Sequence, residues 1–275
     1  MTRRPTMTAR MRRICVLIST IILVWQSGVV SAGADMVPHQ AIYKMTLSKN
    51  SPASQFNGLS GAAVSQIERT CEGWIISEQI LMTMLTVNGG AIEWEMTFKA
   101  RESLDGSSYV FDSLSITNGN TERFSGTARR KQGGAAEAEF VTPRPFEMPL
   151  PDGTRFYISM THWLLELAGS GKRAAESYAF DGTDDEGPQK VSAFILPDSI
   201  GGAGLSGDSS LLDRKAWQVR LAFFKTDKQV TEPEYEISLR LLENGVITHF
   251  ELIFNDLVVD QILQDVLPAK DERCG

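Results

Sequence analysis

One stretch limits what this chain can fold into. In Thr154 to Ala168, TRFYISMTHWLLELA, the apolar residues follow a helical period, and they do so clearly nowhere else. Phe156, Tyr157, Met160, Trp163, Leu164 and Leu167 fall on one broad stripe that a lone helix must bury against another element. Pro151, Asp152 and Thr154 supply start signals, and Gly169 and Gly171 followed by Lys172 and Arg173 supply a stop. Almost everything on either side reads as strand. The expectation is therefore mainly β: an antiparallel sheet wrapped around one central helix.

Strand signals recur along the chain. His39 to Leu47 reads as a first strand, followed by a turn-rich segment at Asn50 to Ser54. Gly61 to Thr70 and Trp74 to Val87 form a hairpin about Cys71, Glu72 and Gly73. After Asn88-Gly89-Gly90 comes the clearest alternation: Trp94, Met96, Phe98 and Ala100 point one way, while Glu93, Glu95, Thr97, Lys99 and Arg101 point the other. Asp105-Gly106, Asn118-Gly119 and Gly133-Gly134 punctuate further strands of an antiparallel meander. Phe140 to Pro151 holds four prolines, which exclude helix and central strand.

Beyond the helix, strands are expected at Glu176 to Phe180, Lys190 to Leu196, Ala216 to Phe224 and Tyr235 to Leu241, then from Ile247 to Phe254 after Asn244-Gly245. Leu257 to Leu267 fits both periods. We read it as a strand to Ile262 and a less regular segment beyond.

The first residues read as a leader. Arg3, Arg4, Arg10, Arg12 and Arg13 precede an apolar run from Ile14 to Val30, and Ala32-Gly33-Ala34 offers small residues for cleavage. The expected organisation is a signal peptide over residues 1–34 and a single domain over 35–275, exported to the periplasm with no stable transmembrane anchor after cleavage. Removing the leader takes away five arginines and no acid, so the formal charge of −7 becomes more negative by five. Such a surface repels phosphate backbones, and no basic stripe offsets it, so nucleic acid is excluded as a partner.

Of three cysteines, Cys15 leaves with the leader, and Cys71 and Cys274 remain as an even pair in an oxidising compartment. A bridge between them closes a loop of about 200 residues, for which chain entropy gives roughly 5 kcal/mol. Nothing resembles C-x-x-C, so the pair reads as a structural staple.

Chemical motifs are sparse. Gly202 to Gly207 spells G-x-G-x-x-G, but it leads into the polar Asp208-Ser209-Ser210 in an antiparallel context, so no dinucleotide cofactor is expected. Ser206 reads as a loop serine. His39, His162 and His249 are the only histidines, and no H-E-x-x-H, H-x-H or Cys/His cluster builds a metal site. Asp181, Asp184, Asp185 and Glu186 miss the calcium-loop spacing and read as a solvated loop. No catalytic residue is assigned; a hydrolase reading would rest on His162 or this loop. Met82, Met84, Met96 and Met160, with Trp94 and Trp163, mark a candidate apolar groove between sheet and helix, since thioethers adapt to varied apolar ligands.

Several segments taken in order resemble the EipB family: Val37 to Tyr43, Glu68 to Trp74, Gly171-Lys172-Arg173, Phe180-Asp181-Gly182 and the terminal Cys274-Gly275. The resemblance implies a periplasmic cell-envelope-integrity protein of alphaproteobacteria. The fold it implies is an open half-barrel, a β-spiral of about fourteen antiparallel strands with a helix against its concave side and a Cys71–Cys274 disulfide. It also implies a role in maintaining the envelope without assigned catalytic activity. Together with export, the cysteine pair and the strand periodicity, it leads us to expect a monomeric, non-enzymatic binding or scaffold module whose partners are periplasmic or envelope proteins, a helical-repeat protein among them. The alternative is a carrier of a lipid or other apolar ligand.

Overall fold

The computed structural model of the protein describes residues 36–131, 134–198, 205–226, 231–272 and 274. They belong to one compact unit, Gly33–Gly275. The leader segment and Gly201 to Gly204 of the glycine-rich loop lie outside the described residues. Among the described residues, no helix is long and apolar enough to cross a membrane.

Eight strands come first: β1 (His39–Asn50), β2 (Phe56–Arg69), β3 (Gly73–Thr86), β4 (Ala91–Ser103), β5 (Ser108–Thr117), β6 (Asn120–Arg130), β7 (Ala136–Thr142) and β8 (Phe146–Leu150). The two-residue β9 (Thr154–Arg155) leads into the helix α1 (Tyr157–Ser170). Then follow β10 (Ala174–Ala179), β11 (Gln189–Pro197), the single turn α2 (Ser209–Leu212), β12 (Ala216–Lys225), β13 (Tyr235–Leu242), β14 (Ile247–Ile253) and β15 (Leu257–Pro268).

All fifteen strands share one sheet, in the order β8-β7-β6-β5-β4-β3-β2-β1-β15-β14-β13-β12-β11-β10-β9. Each half is a meander of neighbours in sequence, held by tight turns such as Asn118-Gly119, where both residues adopt the positive φ that a two-residue hairpin needs. The halves join along the β1/β15 seam, which runs from His39 opposite Pro268 to Asn50 opposite Leu257. Consecutive strands β8 and β9 therefore end up at the two extremes of the sheet. The sheet curls until its halves meet: Phe111 of β5 lies edge-on to Phe180, which follows β10, at 5.6 Å, and the Tyr109 hydroxyl donates to the Asp181 carbonyl at 3.0 Å. The result is a nearly closed, barrel-like sheet.

The helix begins later than the sequence suggests. Thr154 and Arg155 pair in parallel with Tyr178 and Ala179, so the stretch read as helix from Thr154 opens as a strand. The helix ends at Gly171, whose φ of 74° lets the Gly171 and Lys172 N–H groups turn back onto the Ala168 and Leu167 carbonyls. Ile158 and Leu165 are buried off the expected stripe, because sheet surrounds the helix on more than one side.

Three more segments depart from expectation. Asp208-Ser209-Ser210, read as a polar loop, opens α2, with the Asp208 side chain capping Ser210 N–H at 2.8 Å. Pro149 lies within a strand after all, but that strand is the edge strand β8, where a missing N–H is tolerated. The tail after Ile262 continues as strand to Pro268. Its register slips between Leu263, opposite Tyr43, and Asp265, opposite Ile42, leaving Gln264 as a bulge. The bulge puts Leu263 and Val266 in one buried cluster three residues apart, and that spacing is what imitated a helical period.

Candidate functional site

The start of α1 has no capping side chain of its own. Phe156 stands at the N-cap, and Ser159 Oγ accepts only the Phe156 N–H. The free N–H groups of the first turn are taken by a strand instead: Ile158 N–H donates to Glu102 Oε2 at 2.7 Å and Ser159 N–H to Glu102 Oε1 at 3.0 Å. Glu102 thus places a buried carboxyl at the positive end of the helix dipole. Burial pushes its pKa up, while the helix N–H groups and the charge of Arg130 pull it back. Arg130 is itself fixed, donating to the Gly106 and Thr154 carbonyls with its guanidinium 5.4 Å from the Phe156 ring centroid.

A second carboxyl holds the same turn one strand away. The Tyr157 hydroxyl donates to Glu78 Oε1 at 2.5 Å, Ser65 Oγ donates to the same oxygen at 3.2 Å, and the Tyr157 ring stacks on Phe98 at 6.2 Å. Burial raises the pKa of Glu78 and of the Tyr157 phenol, so both are held towards their neutral forms. Neither glutamate stood out in the sequence, although a signal was present. Glu102 continues the inward alternation of Trp94, Met96, Phe98 and Ala100, and Glu78 has the parity of Ile76 and Ile80.

The register of β3 against β4 arranges the inner wall in rungs. Ile76 faces Ala100, Glu78 faces Phe98, Ile80 faces Met96, Met82 faces Trp94 and Met84 faces Ile92. On the Glu78 rung Phe98 is buried, and below it, towards the Cys71 turn, Trp74, Ile76 and Ala100 are buried. Above it, Ile80, Met82, Met84, Ile92, Trp94 and Met96 are only half-buried. Four of the six predicted groove residues, Met82, Met84, Trp94 and Met96, thus share this upper wall. Met160 is half-buried on α1 and packs against the main core. Trp163 is buried, with the Arg155 guanidinium 5.0 Å from its ring centroid, and belongs to the core.

Cys71 and Cys274 are joined, with their Cα atoms 5.3 Å apart. The last residues lie beside the end of β2: Arg69 N–H donates to the Lys270 carbonyl and Glu272 N–H to the Arg69 carbonyl, both at 3.0 Å.

The histidines are dispersed. His39 is buried, and Nδ1 lies 2.8 Å from the Val37 carbonyl. His162 packs edge-on to Trp74 at 6.0 Å. His249 Nε2 is 3.2 Å from Asp260 Oδ1, and with Glu251 these side chains place three ligand atoms within 4.8 Å of one another. In the acidic loop, Asp181 and Asp184 accept from the Thr183 and Glu186 backbones, and Glu186 pairs with Lys225 at 2.5 Å. A surface pocket of about 250 Å³ lies over Glu176, Tyr178, Lys190 and Phe224. Its charges are already matched, Lys190 to Glu176 and Lys225 to Glu234, each at 2.9 Å.

The sequence model of the EipB-like family matches residues 30–270. The cell envelope integrity protein EipB of Brucella abortus (strain 2308) is 21% identical over 227 residues, which is 80% of each chain. The crystal structure of a beta-barrel-like protein of a domain of unknown function, also from Brucella abortus, superposes with a TM-score of 0.78 at 19% identity, covering 86% of this chain and 99% of that one.

Proposed function

Since this chain belongs to the EipB-like family, we propose that it is a non-enzymatic periplasmic protein that maintains envelope integrity, acting as a binding module on a disulfide-stapled β-spiral. The observation that carries this reading is the likeness to the Brucella envelope integrity protein along 80% of both chains. The fold supports it, because the parts that make a rigid frame are all internal: the β1/β15 seam, the Cys71–Cys274 bridge and the two carboxyls on the helix start. The surface pocket has its charges matched within the chain, and Glu186 of the acidic loop pairs with Lys225, which suits a frame better than a reactive centre. The partners we propose are periplasmic or envelope proteins, with a helical-repeat protein as one class. Deleting the gene in the native bacterium should raise sensitivity to detergent and to cell-wall antibiotics, and the wild-type chain should restore resistance. Unchanged sensitivity in the deletion strain overturns the proposal.

One observation favours a second reading, a carrier for an apolar ligand. The upper inner wall leaves Met82, Met84, Trp94 and Met96 half-buried on a concave face, where the same strands bury their lower residues. Purified protein should then carry co-extracted lipid detectable by mass spectrometry, and an empty wall in repeated preparations rejects this reading.

A further inference from the structure

Beside the start of the helix, the inner wall presents an acid that two hydroxyls hold, Glu78. Glu78 sits on the inward face of β3 between Ser65 and Phe98, below the rungs Ile80–Met96, Met82–Trp94 and Met84–Ile92. The seven residues from Glu78 to Met84 make a track of about 20 Å at strand rise. Along it every inward group after Glu78 is apolar and half-buried.

The groups acting on the Glu78 carboxyl are the hydroxyls of Tyr157 and Ser65 and the like charge of Asp181. Among the described residues no ion pair joins it to a lysine, arginine or histidine. The phenols of Tyr43 and Tyr157, on which Glu78 acts, are kept neutral by burial. The contrast is with Glu102 on the next strand, which has helix N–H groups and Arg130 to balance it. Burial holds the Glu78 carboxyl towards its neutral form, and a cation seated against it would favour the carboxylate.

We propose that the upper wall and Glu78 form one site for a single-chain amphiphile with a cationic amine head, the chain lying along the methionine and tryptophan rungs and the ammonium meeting the Glu78 carboxylate. This rests on the second reading above and adds the class of ligand. Charge complementarity decides the class, since an anionic head would meet the acid of Glu78, which Asp181 reinforces with a like charge.

The test uses the oxidised full chain and three probes of equal chain length, dodecylammonium, dodecanoate and dodecanol, titrated calorimetrically below micelle formation. Dodecylammonium should bind more tightly than dodecanoate by roughly tenfold or more, with dodecanol between them. Glu78→Gln, which keeps the hydrogen-bonding shape, should erase the preference for the amine while leaving dodecanol binding unchanged. Met82→Glu, placed mid-track, should abolish binding of all three probes, so the site remains testable if Glu78→Gln fails to fold. If the three probes bind equally to wild type, the head-group assignment falls and the apolar groove stands. If none binds, or if Met82→Glu binds as wild type does, the groove and the assignment fall together.

Discussion

The lower and upper ends of the same inner wall share one alternation but differ in depth. At the lower end β3 and β4 present Trp74, Ile76, Phe98 and Ala100, none more than 4% exposed. At the upper end the same two strands, with the same alternation, present Met82, Met84, Trp94 and Met96 half-buried. The period of a strand fixes which face a residue takes; depth is set by the covering element. Here α1 has 14 residues, about 21 Å at helical rise, while β3, also 14 residues, runs to about 46 Å at strand rise. However it tilts, the helix is too short to cover the whole wall.

Four measurements probe this contrast, taken from the largest expected effect. The staple belongs to the lower end, so Cys71→Ser with Cys274→Ser should lower unfolding free energy by about 4 kcal/mol in urea titrations, and reductant should reproduce the shift in wild type. An unchanged midpoint would detach the staple from stability.

Leu165→Ala, in the buried helix core, should cost about 3 kcal/mol, against about 1 kcal/mol or less for Met82→Ala on the half-buried upper wall, both read from thermal melts. Equal losses would mean that the upper wall is as well covered as the lower. Glu102→Ala removes the acceptor for two helix N–H groups and should cost about 2 kcal/mol, with loss of far-UV helical signal that Glu78→Gln leaves intact.

The smallest effect is pH dependence. Burial raises the pKa of Glu78 above its ordinary 4.5, so the folded state binds this proton more readily than the unfolded chain does. Stability from this group is therefore complete below pH 4.5 and is lost as pH rises through the folded value. Asp184, pushed up to about 6 by burial, acts in the same sense. Glu78→Gln should flatten the fall of the urea midpoint between pH 4 and 8, and an unaltered profile would show that Glu78 is no more sheltered than a surface acid.

Strand positions and turns were legible because alternation and Asn-Gly or Asp-Gly signals are local. So was the end of the helix, which a left-handed glycine announces at Gly171. What failed to show depended on partners far along the chain. Thr154 and Arg155 became strand only because Tyr178 and Ala179 lie alongside. Start signals at Pro151 to Thr154 set the helix too early, because the acceptor of its first turn, Glu102, comes from a strand more than fifty residues earlier. The tail past Ile262 misled because a bulge at Gln264 moves inward side chains from odd to even positions. For the candidate site, Met82, Met84, Trp94 and Met96 could be grouped from parity, whereas Trp163 shared the apolar signal and went to the core under Arg155.

The seam between β1 and β15 has a consequence for how the molecule is made. A chain emerging from its N-terminus can lay down one meander, then a second, yet the strand that welds them is the last to arrive. Until then the growing polypeptide holds two half-shells with open rims, so quality control acting on nascent chains has a long window in which to meet it.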